Sequence, residues 1–203
     1  MADLGALFLQ AVFAENMPLT YFLGLCTFLA LSRRPGTAFD LGVAIIVVMG
    51  VTVPLNQVIY HAVLAPGAWS WAGMPEVDLS YLSLITFIGV VAASVQLLEM
   101  VLERYMPRLQ AAFGAFLPLL TIQCAILGGS LFMVERRYDV SEALVYGVGS
   151  GAGFALAVVM LGAIRMRLAN ADLPAGLRGL GISFLLAGMM SLGFSSFALM
   201  AVR

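Results

Sequence analysis

Charged residues are so sparse along this chain that they act as punctuation between apolar runs. The uncharged windows are 16–32, 41–75, 79–98, 109–134, 143–164 and 179–202, and a helix needs about 20 residues to cross the hydrocarbon core of a bilayer. The pattern predicts an all-α membrane protein with six transmembrane helices, I to VI. Window I is short, so helix I is expected to begin upstream, near Leu7, with Glu15 at a helix break or at the membrane interface. The runs are continuously apolar and do not alternate, which argues against a β-barrel.

Composition agrees. Of 203 residues 62% are hydrophobic and 10% charged, with a mean hydropathy of +1.03, far from the usage of soluble domains. The formal net charge of −1 offers nothing to nucleic acid. The N-terminus has no charged n-region and no small-residue cleavage site, so helix I is expected to stay in the mature chain. All ten basic residues are arginine. Arg33, Arg34, Arg104, Arg108, Arg165, Arg167 and Arg178 fall after helices I, III and V, whereas Arg136, Arg137 and Arg203 fall elsewhere. Positive charge accumulates on cytoplasmic loops, which places both termini outside. Trp69, Trp71 and Tyr81 beside Glu76 and Asp78 read as an external aromatic belt.

The two halves of the chain resemble each other at an offset near 98. "MPLTYFLGLC" (17–26) aligns with "LPLLTIQC" (117–124), and "LITFIGVVAASV" (84–95) with "GISFLLAGMMSL" (181–192). Pro18 precedes Cys26 by eight residues and Pro118 precedes Cys124 by six. The reading is one membrane domain, 1–203, with a first repeat at about 5–104 and a second at about 109–203. Three helices per half force the second repeat to enter from the opposite side, an inverted-topology pair. Prolines free backbone carbonyls, so helices I and IV are expected to break near the cysteines, bringing both thiols to mid-depth.

Cys26 and Cys124 are the only cysteines. Each could be a small buried hydrophobe. A disulfide at mid-depth has no access to an external oxidation system. Iron ligation is the sharper reading, given their symmetric places. A two-iron cluster or tetrahedral iron takes four thiolates, so a partner chain, most simply a paralogue, would supply the rest. "YGVGSGAGF" (146–154) lacks the strand, helix and spacing of a dinucleotide loop. Its Gly147/Gly151 and Gly149/Gly153 pairs instead predict close helix packing. Glu99 is either an interfacial carboxylate paired with Arg104 or a cation-binding group, and Glu15 shares that ambiguity at the other end. His61 is the only histidine, leaving no histidine-based metal set. Asp40 and Asp172 read as solvated loop charges.

"AVFAENMPLTYFLGLCTFLALS" (11–32), "VDLSYLSLITFIGV" (77–90), "FLPLLTIQCAILGG" (116–129), "LVYGVGSGAGF" (144–154) and "DLPAGLRGLGISFLLAGMMSLGFSSF" (172–197) carry a resemblance across the whole chain. It is to the family of E-type subunits of bacterial sodium-pumping NADH:quinone oxidoreductases. The A-type subunit of the Rnf ferredoxin:NAD oxidoreductase is a relative, but there Pro is expected after the first cysteine and Asn-Asn in place of Glu15-Asn16. Thr27 follows Cys26 here, favouring the quinone-reducing complex. The resemblance implies an electron-relaying subunit of a sodium-exporting translocase. Cys26 and Cys124 would be its two ligands to a 2Fe–2S iron-sulfur centre shared with the paralogous D-type subunit. Other subunits of the complex would hold flavin and NAD, and none would be bound by this chain. A secondary transporter is the alternative, since inverted repeats with broken helices also build carriers.

Overall fold

The structure is a computed structural model that describes residues 4–32, 35–65, 80–105, 117–121, 123–168 and 179–201. The described residues are helical throughout, joined by turns. Trp69, Trp71, Glu76, Asp78, Asp172, Arg33, Arg34, Arg108, Arg178 and Arg203, on which parts of the topology reading rest, lie outside them.

Window I is a chain of pieces. Helix α1 (Leu4–Leu9) runs into a π-helical turn, Gln10–Ala14, closed by the Glu15 amide on the Gln10 carbonyl at 2.9 Å. The chain then breaks at Glu15 and Asn16, forms α2 (Met17–Thr20), breaks again over residues 21–24 and resumes as α3 (Leu25–Leu31). Window II is α4 (Pro35–Ile59), followed by a second π turn, Tyr60–Leu64. A 3₁₀ turn (Ser80–Leu82) leads into α5 (Ser83–Tyr105); then come α6 (Leu117–Thr121), α7 (Cys124–Glu135), α8 (Val140–Leu168) and α9 (Leu180–Ala201). The stretches Gly36–Leu64, Ser83–Tyr105 and Val140–Leu168 are long and apolar enough to cross a membrane.

The prolines act differently from the expectation. Pro18 sits in the first turn of α2 and Pro118 is the second residue of α6, positions that a residue without an N–H tolerates. They begin the short helices, and the breaks next to the cysteines come afterwards. In the first break Phe22 (φ 56°) and Gly24 (φ 82°) take left-handed backbone; in the second, Gln123 is extended with ψ 120°. Pro54, inside α4, does not break it.

The chain divides into two compact units. Unit 1 comprises residues 1–47 and 148–203, and unit 2 comprises 48–147. In unit 1, α9 packs on the first π turn, α2 and α3. The same unit fixes the direction of α8. A Cβ on Gly149 would meet Ala11 and Phe8, and one on Gly153 would meet Val12 and Asn16, while Arg165 reaches Leu29 and Ser32. Contacts that advance together along both segments mean that α8 runs parallel to window I. Against α4 the order reverses: Gly151 meets Ile46 and Ala155 meets Gly42, so these two are antiparallel.

The glycines of α8 therefore serve two neighbours. Gly151 lies 2.7 Å, as a virtual Cβ, from the Ile46 Cα in unit 1, and Gly147 lies 2.7 Å from the Met49 carbonyl in unit 2. Gly149 and Gly153 let in the backbone of window I. This is the close packing that the small-residue spacing predicts. In unit 2, α5 packs on α6 and α7. At the start of α8 the Asp139 amide donates to Glu142 Oε2 at 3.1 Å, one half of a capping box, and the Ala143 amide makes the first helical bond, to the Asp139 carbonyl at 2.8 Å.

Candidate functional site

Each cysteine stands in the first turn of a helix that starts after a break. Cys26 is the second residue of α3. Its N-cap, Gly24, adopts a left-handed conformation that a side chain would strain. The Phe28 amide and the Thr27 hydroxyl both donate to the Gly24 carbonyl at 3.0 Å, winding the first turn. Cys124 is the first residue of α7, and the Ile126 amide returns to the Gln123 carbonyl at 3.2 Å. Both side chains are exposed on this chain. Cysteine is ordinarily among the most buried residue types, and Thr27 and Phe28 beside Cys26, like Gln123 and Ala125 beside Cys124, are buried. Neither thiol is core filler of its own unit.

Half-helix α3 is held from several sides. Phe28 is wholly buried and meets Phe154 of α8 edge to face at 6.3 Å. The Arg165 guanidinium donates to the Leu29 carbonyl at 2.9 Å and to Ser32 Oγ at 2.7 Å. Before the break, Ser191 of α9 donates to the Leu19 carbonyl at 2.6 Å.

Among the described residues no three His, Cys, Asp or Glu side chains come together as a metal set. Cys26 lies in unit 1 and Cys124 in unit 2, and each thiol is exposed on its own unit. His61 is exposed and pairs with Gln57 Nε2 at 2.9 Å. Glu99 is half-buried on α5, and among the described residues no ion pair or hydrogen bond joins it to Arg104. Glu15 is buried, with Gln10 Nε2 donating to Oε1 at 2.7 Å. Arg136 lies 6.0 Å from the ring centroids of both Phe132 and Tyr146 and donates to the Tyr138 hydroxyl at 3.1 Å.

Sequence reasoning missed a set of buried amides. Asn16, 0% exposed, donates through Nδ2 to the Gly153 carbonyl at 2.8 Å and to the Val12 carbonyl at 3.1 Å, tying the first break to α8. In unit 2, Asn56 Nδ2 donates to Ser130 Oγ at 2.8 Å, joining α4 to α7, and Gln57 donates to the Tyr138 carbonyl. The available signal was an amide inside an uncharged window, where an unpaired polar group is costly.

The chain is similar to known proteins along nearly its whole length. The family model described as Rnf-Nqr subunit, membrane protein, matches residues 4–201. The E subunit of the Na(+)-translocating NADH-quinone reductase of Idiomarina loihiensis is 59% identical over 192 residues, covering 95% of each chain. Its namesake in Ectopseudomonas mendocina is 58% identical over 193 residues, covering 95% of this chain and 96% of that one. In Psychrobacter cryohalolentis the figure is 56% over 197 residues, 97% and 98% of the two chains. With a family match across nearly its whole length and relatives this similar, the chain belongs to the Rnf-Nqr family of membrane subunits.

Proposed function

We propose that this chain is the E-type membrane subunit of a bacterial sodium-translocating NADH–quinone reductase, and that Cys26 and Cys124 are two of the four thiolate ligands of a 2Fe–2S centre. The other two come from a paralogous partner, the D-type subunit. The observation that carries the ligand reading is the exposure of both thiols in first turns that follow helix breaks. The identity of its relatives, E subunits of Na(+)-translocating NADH-quinone reductases, carries the choice of complex. Thr27 after Cys26 and Glu15 before Asn16 favour it over the Rnf branch.

When bound, such a centre would supply one-electron transfer. The chain's own residues do the rest. Gly24 and Phe22 turn the backbone so that α3 begins at Leu25. Cys124 opens α7, so the positive end of that helix dipole favours the negative charge of a thiolate-ligated group. Buried Phe28, Leu29, Ala125 and Ile126 keep water from the turns that bear the thiols. NADH oxidation and quinone reduction belong to other subunits.

The architecture proposed is six spans in two inverted repeats, with both termini periplasmic. The parallel course of α8 and window I, and the antiparallel course of α4, are what helices V, I and II of that topology require. Glu99, lacking its arginine partner, is proposed as a cation group on the cytoplasmic sodium path.

Serine substitution in the assembled complex tests the reading. Cys26→Ser and Cys124→Ser should each abolish electron transfer to quinone, while NADH oxidation by artificial acceptors at the entry subunit persists. Normal quinone reduction in either mutant would return that cysteine to a packing role.

A further inference from the structure

We propose that Arg165 is a positioning residue for Cys26: from the end of α8 its guanidinium clamps the C-terminus of the half-helix whose first turn presents the thiol. The proposal rests on Cys26 being a ligand, but its structural half stands without that reading. Helix α3 has seven residues, too short to be stable alone in water. A break isolates it on the N-terminal side, so it gains nothing by continuing a longer helix. Its last carbonyls are unpaired within the helix, and one of them, Leu29, accepts from Arg165 Nη1 at 2.9 Å. The same nitrogen donates to Ser32 Oγ at 2.7 Å, and Ser32 in turn donates to the Leu29 carbonyl at 3.3 Å.

The result is a closed triangle of three hydrogen bonds at the C-cap, with a cation at the negative end of the helix dipole. Charge-assisted bonds of this kind are about twice as strong as neutral ones. Phe154 provides the second point of attachment, through Phe28. Helix α8 therefore sets both the height and the rotation of α3, and with them the place of Cys26. Unit 2 has its own arrangement for Cys124. The clamp is thus specific to one of the two thiols, which makes it testable.

The experiment measures alkylation by a membrane-permeant maleimide in the assembled complex, read by mass spectrometry on the peptide that holds each cysteine. In a Cys124→Ser background, Arg165→Gln should raise the Cys26 rate about tenfold, the scale on which losing a charge-assisted bond opens a local segment. Arg165→Lys should restore most of the protection, and Ser32→Ala should give a smaller rise. In a Cys26→Ser background, Arg165→Gln should leave the Cys124 rate unchanged. With both cysteines present, Arg165→Gln should alter the paramagnetic signal of the complex, and Arg165→Lys should restore it. An unchanged Cys26 rate in Arg165→Gln, or an equal rise at Cys124, would overturn the proposal. Full iron in the serine parents, with Cys26 still responding to Arg165, would overturn ligation alone and keep Arg165 as the anchor of α3.

Discussion

At the scale of single residues, the identity of a side chain is legible in the sequence while its partner is not. Arg165 counts among the loop arginines by its place after window V, yet the structure bonds it to the last turn of α3. Asn16 reads as one polar letter beside Glu15 and turns out to bridge a helix break to Gly153. Pairings across 133 to 137 residues leave no local signature. Removing the amide should be felt: Asn16→Ala is expected to cost about 1 kcal/mol, the usual scale of an interhelical hydrogen bond in membranes, measured as a lower melting temperature of the purified complex. Glycines separate by what surrounds them. A Cβ on Gly153 would stand 2.8 Å from the Val12 carbonyl, so Gly153→Ala should destabilise by about 1–3 kcal/mol. Gly89, inside α5, has nothing within 4 Å, and Gly89→Ala should be neutral or stabilising by up to about 1 kcal/mol. Equal melting temperatures for the two alanine variants would contradict the packing described for α8.

At the scale of elements, the apolar windows predict helices well, because nothing but a helix satisfies its own backbone in lipid. Where a helix breaks is harder to read. The prolines drew attention to the correct windows and to the wrong residues, since a proline in a first turn costs nothing. The break before α3 depends on positive φ at Phe22 and Gly24. Glycine announces that freedom and phenylalanine hides it. The π turns at Gln10–Ala14 and Tyr60–Leu64 have no compositional mark at all. Gly24→Ala should strain the left-handed N-cap by about 1 kcal/mol and lower the iron content of the complex. Gly188→Ala, at an open position of α9, should leave iron unchanged. Equal iron in both would show that the turn before Cys26 does not govern the site.

At the scale of the whole molecule, the charge pattern expects windows I and V to run the same way, and the packing within unit 1 has them parallel. Arg165 beside Leu29 and Ser32 places the ends of windows I and V on one side within unit 1, which is where the arginine count puts both following loops. An alkaline phosphatase fused after Arg203 should accordingly be active in the periplasm, and a silent phosphatase would invert the topology. Glu99→Ala should raise the sodium concentration needed for half-maximal quinone reduction without changing iron, and an unaltered sodium dependence would remove it from the path. The thiol pair was legible as a candidate site because two cysteines repeat one local context. The ligands that the proposed function assigns to a partner subunit leave no mark in this sequence. The most direct measurement is iron itself, counted with the paramagnetic spectrum on the assembled complex carrying Cys26→Ser or Cys124→Ser. Loss or distortion of one and the same centre in both mutants is predicted; full iron with an unaltered spectrum in either would contradict the shared-ligand assignment.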